Sequence, residues 1–162
     1  TECDIVILTG GVSAGDYDLT PQAMEKAGCE LLVRGVALKP GMACCYGMCG
    51  DKPVLALSGN PSSSLINYYA VVRPAVRKMI GITPYMPEEF TVALAQGFKK
   101  KSKAVRILKG SLSIEGGQAV MYLPKGQGNV VLSSSIGCDV MAVVPAGSGP
   151  LEAGTQLLAF RV

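Results

Sequence analysis

Residues 3–18 decide the fold and read CDIVILTGGVSAGDYD. The run Ile5–Thr9, followed by Gly10-Gly11, predicts a strand that is buried on both faces and ends in a tight glycine turn. Thr20-Pro21 then predicts a helix start, with the Thr20 hydroxyl as N-cap and proline at the first helical position. This order predicts an anion site, because amide groups in such a loop and at a helix start lack internal partners.

A second strand and glycine loop repeat this order further along the chain. The apolar strand Pro53–Leu57 leads through Ser58-Gly59-Asn60 into Pro61 and a helix. If the two strands are parallel neighbours, both loops lie at one edge of the sheet, where open α/β sheets bind ligands. The sequence therefore predicts one crevice lined by both loops.

Three shorter elements are predicted between these two loops. The first is a helix from Pro21 to about Ala27, closed by Gly28, and the second is a strand over Leu31–Leu38 that ends at Lys39-Pro40-Gly41. The third is a strand over Ala43–Met48, which pairs with Pro53–Leu57 through a turn at Gly50-Asp51. Proline and glycine set most of these boundaries, because they stop regular structure.

The longest predicted helix runs from Pro61 to about Ile80, because apolar residues recur there at spacings of three and four. Asn60 is the predicted N-cap and Gly81 the predicted end. Pro74 should remove one hydrogen bond, so we expect a kink and not two helices.

Two domains are predicted, residues 1–82 and 89–162, joined by a linker at residues 83–88 that contains two prolines. The second domain should be a small all-β barrel or sandwich, since short strand candidates alternate there with turn residues. The candidates are Phe90–Ala95, Val105–Ile114, Ala119–Leu123, Val130–Leu132, Val140–Val144 and Gln156–Val162, with a hairpin turn at Gly116-Gly117.

The first domain has too few parallel strands for a complete doubly wound, three-layer α/β sheet, which usually contains about five. Thr1 also directly precedes a predicted buried strand. We therefore expect an incomplete doubly wound α/β domain, its first strands missing, in a fragment of a longer polypeptide.

Composition indicates a cytoplasmic protein that binds neither nucleic acid nor membrane. The net charge is +3, and the basic run Lys99–Lys101 is interpreted as a solvated strand edge. No apolar run reaches about 18 residues, and no signal sequence is apparent. The six cysteines lie in or beside apolar segments and are interpreted as reduced core thiols. With no histidine to activate them, they are not candidate nucleophiles.

Several motifs together resemble one family, the molybdopterin molybdotransferases, which include the MoeA proteins of bacteria and the E domain of gephyrin. The motifs are DIVILTGGVSAGDYD at residues 4–18, KPG at Lys39–Gly41, LSGNPSSS at Leu57–Ser64, VRILKGSL at Val105–Leu112 and GQGNVVLSSS at Gly126–Ser135. The resemblance implies insertion of molybdate into adenylylated molybdopterin, with Mg²⁺-dependent release of AMP. It also implies a homodimer in the full-length form.

The resemblance implies roles for individual residues. Asp16 and Asp18 would hold Mg²⁺, and Lys39 would neutralise charge on the leaving phosphate. The implied ligand-binding residues are Gly10, Gly11, Val12, Ser13, Gly15, Pro40, Gly41, Ser58, Gly59, Asn60, Pro61, Ser62 and Ser134.

Structural alternatives remain open for these positions. The aspartates are also typical turn residues, Asn60 is a typical helix cap, and the glycines can serve backbone geometry alone. For the chain as a whole, a non-catalytic binding or scaffold module with the same fold is the alternative to an enzyme.

Overall fold

The structure is a computed structural model that describes residues 2–125 and 132–162. Its strands are β1 Val6–Thr9, β2 Glu30–Arg34, β3 Leu38–Lys39, β4 Cys45–Cys49, β5 Lys52–Leu57, β6 Glu89–Leu94, β7 Val105–Glu115, β8 Gln118–Tyr122, β9 Val140–Val144 and β10 Gln156–Arg161. Its α-helices are α1 Thr20–Lys26, α2 Pro61–Asn67 and α3 Arg73–Met79.

The first part of the chain forms a four-stranded sheet in the order β1-β5-β4-β2. Strands β1 and β5 are parallel, with Val6 opposite Val54, and the other pairs are antiparallel. Met24 of α1 packs on the face that contains Val54, whereas Val76 of α3 packs on the face that contains Leu55. The predicted mixed α/β architecture is confirmed, because helices cover both faces of the sheet.

The prediction that β1 is buried on both faces is wrong. Ile7 is 44% exposed and Leu8 is 37% exposed. The reason is that β1 is an edge strand, paired on one side with β5 and not paired on the other within the described residues.

Two boundaries in the first half also differ from the predictions. Thr20 is the first helical residue and not the N-cap, and its hydroxyl donates to the Gly10 carbonyl. The predicted strand Leu31–Leu38 is divided, because Gly35 adopts a φ of +78° after β2, and the chain resumes as β3 at Leu38. The predicted turn at Gly50, with a φ of +64°, joins β4 to β5 as expected.

The predicted long helix is a continuous helical run from Pro61 to Met79. It contains a π-helical turn, Tyr68–Val72, immediately before α3, and the Arg73 amide donates to the Tyr68 carbonyl there. This wider turn precedes Pro74, which has no amide hydrogen to donate. Asn60 caps the helix and Gly81, at a φ of +78°, follows its end, so both predicted helix signals are confirmed.

The second part of the chain is a closed five-stranded barrel, which confirms the prediction of a small β-barrel. The strands follow the order β7-β8-β6-β10-β9, and β9 pairs with β7 to close the barrel. The Gly116-Gly117 turn has positive φ at both residues and joins β7 to β8. The core is apolar and is centred on Val92, Leu94, Leu108, Met121 and Val140.

Three predictions for the second part need correction or lie outside the described residues. Leu132 begins a 3-10 turn, Leu132–Ser135, and not the end of a strand, while residues 130 and 131 lie outside the described chain. Lys99–Lys101 lies in a loop, because the chain leaves β6 before this run. Residues 80–88, which include the predicted linker, are turns and loop.

One short strand connects the two parts. β3 pairs in parallel with β7, placing Leu38 opposite Val105 and Lys39 opposite Arg106. Among the helices of the described residues, none combines the length and apolar character that crossing a bilayer requires.

Candidate functional site

The two glycine loops lie side by side at the carboxyl ends of β1 and β5, as predicted. The Gly10 amide donates to the Leu57 carbonyl at 3.0 Å, so the first loop begins as an extension of the sheet. A Cβ atom added to Gly59 would lie 3.0 Å from the Cα atom of Gly10. Only a residue without a side chain allows the two backbones to approach this closely.

Internal hydrogen bonds shape the first loop. Oδ2 of Asp18 accepts from the Gly15 amide at 2.9 Å, and the Thr20 hydroxyl donates to the Gly10 carbonyl at 2.8 Å. Asp18 is half-buried, whereas Asp16 is exposed. Asp18 therefore has the turn role that the sequence left open, and one of its carboxylate oxygens is engaged.

The second loop is held by Asn60 and Ser58. Oδ1 of Asn60 accepts from the amides of Ser62 and Ser63 at 3.1 and 3.3 Å. The Asn60 amide donates to Oγ of Ser58 at 3.4 Å. The first turn of the helix thus already has an acceptor, so its amides are engaged within the protein.

Within residues 10–15 and 58–60, five amides have no hydrogen-bond partner among the described residues. The amides of Gly10, Gly15, Ser58 and Asn60 donate inside the protein. The amides without a partner belong to Gly11, Val12, Ser13, Ala14 and Gly59. Amides in this state favour an oxyanion, because water or a ligand must otherwise satisfy them.

Asn67 connects the second loop to the KPG motif, and the sequence reasoning missed it. Its side chain is fully buried; Nδ2 donates to the Gly41 carbonyl at 2.9 Å and Oδ1 accepts from the Ser58 amide at 3.4 Å. Gly41 has a φ of +109°, and an added Cβ would meet Nδ2 at 2.7 Å. Asn67, the last residue of α2, thereby links the KPG turn to the second loop just ahead of that helix, with Pro40 buried and Lys39 exposed.

Lys109 is the second site residue that sequence reasoning missed. It lies on β7 and is 3% exposed. Its Nζ donates to the hydroxyls of Ser62, Ser134 and Ser135 at 2.8, 3.3 and 2.6 Å. The available signal was a lysine within the apolar run Ile107-Leu108-Lys109, where an inward-facing cation needs polar partners.

Burial lowers the pKa of Lys109, because the charged ammonium loses solvation. A negative ligand near the ammonium would favour the charged form and offset this effect of burial. The three hydroxyls that surround it can also bond to the oxygens of such a ligand, since each hydroxyl both donates and accepts. Ser134, one of the predicted ligand-binding residues, lies here, where its Oγ accepts from Nζ of Lys109 at 3.3 Å.

The cysteines and acidic residues of the described chain form no larger site. No group of three or more histidine, cysteine, aspartate or glutamate side chains is placed to hold a metal among the described residues. All six cysteines are free thiols. Burial raises the pKa of the Cys44 and Cys45 thiols, so they stay protonated and unreactive, consistent with the predicted core role.

Taken together, the start of α2 is surrounded by three motifs that are distant in sequence. The first loop adjoins it through Gly10 and Gly59, the KPG turn through Asn67, and the barrel through Lys109. This arrangement combines amides without partners, hydroxyls and one buried cation. Those groups can bind an oxyanion, and the carboxylates of the first loop can add a hard divalent cation.

Comparisons with known proteins agree with this arrangement. A family described as "Probable molybdopterin binding domain" matches residues 1–78. The molybdopterin molybdenumtransferase of Staphylococcus aureus is 33% identical over 93% of this chain, and that of Staphylococcus epidermidis is 30% identical over 95%. The crystal structure of the molybdopterin biosynthesis MoeA protein from Pyrococcus horikosii superposes with a TM-score of 0.75 at 29% identity, over 98% of this chain.

The matches cover only part of each relative. The chain spans 36% and 37% of the length of the two staphylococcal proteins and 37% of the Pyrococcus chain. The similarity nevertheless includes both the α/β part and the barrel, because it runs over more than nine-tenths of this sequence. The chain is therefore similar to the molybdopterin molybdenumtransferases along nearly all of its length, and it corresponds to about a third of theirs.

Proposed function

We propose that this chain supplies part of the active site of a molybdopterin molybdotransferase. The reaction inserts molybdate into the dithiolene of adenylylated molybdopterin and releases AMP. The observation that carries the proposal is the convergence of the two glycine loops and buried Lys109 on the start of α2. The homology to transferases with this name supports the same conclusion.

The chain's own groups bind and orient the anionic reactants. The amides of Gly11, Val12, Ser13 and Gly59 donate hydrogen bonds to the oxygens of the pterin phosphate or of molybdate. Such bonds bind the anion without a cationic side chain. Lys109 adds a positive charge beside Ser62. Lys39, the exposed first residue of the KPG motif, neutralises charge that develops on the leaving phosphate.

The residues present also fit a magnesium ion bound together with substrate. Mg²⁺ takes one or two protein carboxylates plus phosphate oxygens and water. Asp16 is exposed, and only one carboxylate oxygen of Asp18 bonds to the Gly15 amide, so both side chains retain oxygens for a cation. When bound, the ion would supply a Lewis acid for the phosphate group that leaves as part of AMP.

The complete protein is proposed to supply what this chain does not contain. Since the chain spans about a third of its relatives' length, further strands would extend the sheet beyond β1 into a doubly wound arrangement. The resemblance to the molybdotransferases supports a cytoplasmic homodimer, in which another subunit completes the cleft. Molybdate and molybdopterin are the proposed substrates.

The test is AMP release by the complete protein supplied with adenylylated molybdopterin, molybdate and Mg²⁺. We expect Asp18→Asn to lower the rate at least tenfold, because the amide keeps an oxygen for the Gly15 bond but loses the charge. Asp51→Asn, a change of the same kind in the exposed β4–β5 turn, is the control. Full activity of Asp18→Asn would contradict the metal assignment, and no AMP release by the unmodified protein would favour the scaffold alternative.

A further inference from the structure

A cavity lies between α3, the loop at residues 84–88 and the barrel. Its volume is about 480 Å³. Arg77, on its helical wall, follows Ser62 by 15 positions along the same helical run, which is roughly 20 Å at the rise of an α-helix. None of the residues that line the cavity has a role in the site proposed above.

Aromatic rings form a large part of the cavity wall. Tyr69 and Phe160 both line it, and both pack in the cluster centred on Ile66 and Met141. Their rings are therefore held in place before any ligand arrives. Tyr85 and Phe90 add two further rings. Such a wall favours a flat, apolar ligand, because rings bind one another by stacking and by edge-to-face contact.

Three arginines give the same cavity a positive charge. Nη1 of Arg73 donates to the Arg161 carbonyl at 3.4 Å, and its guanidinium lies over the Tyr69 ring at 5.6 Å. Nη2 of Arg77 donates to the Pro84 carbonyl at 2.9 Å. These partners are neutral, so the positive charges are not cancelled by them. Arg161 itself also lines the cavity.

Two further observations concern the partners of this positive charge. Nε of Arg77 is buried and has no hydrogen-bond partner within the described residues. Buried polar atoms in this state are uncommon, and a bound ligand is one way to satisfy them. Among the residues that line the cavity, Glu88 is the one carboxylate, against three arginines.

We propose that this cavity binds a small organic anion whose negative group is attached to an aromatic ring, as in an aromatic phosphate or carboxylate. The volume lies within the range of small-molecule sites, about 300–1,000 Å³. The guanidinium groups match the geometry of phosphate and carboxylate oxygens, and the rings hold the aromatic body. Neither feature alone would select such a ligand, because the arginines alone would bind any small anion and the rings alone would bind any flat apolar molecule.

Binding of phenyl phosphate to the complete protein, measured by calorimetry, tests the proposal. Benzoate, inorganic phosphate and phenol serve as comparison ligands. We expect phenyl phosphate or benzoate to bind saturably and at least tenfold more tightly than inorganic phosphate or phenol. The stronger of the two acids identifies the preferred anionic group. If neither acid binds more tightly than inorganic phosphate, the proposal is overturned.

Variants locate the binding to this cavity. Arg77→Gln and Arg161→Gln should each weaken binding of the preferred acid at least tenfold, whereas Lys100→Gln, an equal charge change in an exposed loop, should leave it unchanged. Tyr85→Ala should weaken binding of the aromatic acid but not that of inorganic phosphate. Arg161 and Tyr85 are exposed, so these substitutions test the site even if Arg77→Gln impairs folding. Unchanged affinity in both Arg161→Gln and Tyr85→Ala would overturn the assignment.

Discussion

The ammonium group of Lys109, on a barrel strand, donates a hydrogen bond of 2.8 Å to the hydroxyl of Ser62, in the first turn of α2. The two residues are 47 positions apart in sequence, and they join the barrel to the glycine loop before α2. A positive charge is thereby held beside an array of amides, although no acidic side chain takes part in the bond. The proposed anion site depends on this contact more than on any other.

Replacing Lys109 with methionine should abolish activity while leaving the fold intact. Methionine has a similar length and removes a buried charge, so the free energy of unfolding should change by no more than about 2 kcal/mol. AMP release should fall at least a hundredfold, and Lys109→Arg should recover part of it because the charge returns. A stable Lys109→Met protein with normal activity would contradict the role of the ammonium group.

The buried ammonium should also leave a signature in the pH dependence of stability. Burial lowers the pKa of Lys109 in the folded protein below its ordinary value of 10.5. At pH values between the folded-state pKa and 10.5, the unfolded chain therefore binds more protons than the folded one. The stability of the wild type relative to Lys109→Met should therefore rise with pH up to 10.5, by about 1.4 kcal/mol for each unit of lowering. Urea unfolding at a series of pH values measures this difference. In the control variant Lys100→Met, which changes an exposed lysine, the stability difference from the wild type should not rise with pH in this way.

Asn67→Ala should destabilise the protein more than loss of the helix cap does. The substitution leaves the buried Gly41 carbonyl and the Ser58 amide without their partner, which should cost about 2–4 kcal/mol of unfolding free energy. Asn60→Ala, which removes only the cap, should cost about 1 kcal/mol. Chemical denaturation of both variants gives the comparison. Equal losses would show that Asn67 does not connect the two turns in solution.

Gly59→Ala should impair activity by displacing the two glycine loops. The added Cβ would lie 3.0 Å from the Cα atom of Gly10 and 3.7 Å from its amide nitrogen. Because both of these are backbone atoms, the two loops themselves must move apart. Gly149→Ala is the matched control, because an added Cβ there meets nothing within 4 Å. We expect a loss of activity of at least tenfold for Gly59→Ala and none for Gly149→Ala. Equal activities would contradict the role of the close approach.

Local patterns predicted most of the elements because their causes are local. Strand β9, the hairpin at Gly116-Gly117 and the Asn60 cap each depend on residues within a few positions, and all three are confirmed. The parallel neighbourhood of β1 and β5 followed from the repeated order of strand, loop and helix. The exposure of β1 did not follow from its composition, because burial depends on what covers a strand and not on its own residues.

The missed site residues share a different cause. Asn67 bonds to a carbonyl 26 positions away, and Lys109 to a hydroxyl 47 positions away. Neither spacing produces a periodic pattern, and one sequence does not show which polar residues inside apolar runs meet in space. The same reason applies to β3, whose partner strand lies beyond the predicted linker.

The pairing of β3 with β7 has a consequence for any attempt to separate the two halves of this protein. A protease that cut the backbone between Pro84 and Pro87 would break the covalent connection, yet Leu38 and Lys39 would remain hydrogen-bonded to Val105 and Arg106. The products of such a cut would then elute together under native conditions and come apart only in denaturant.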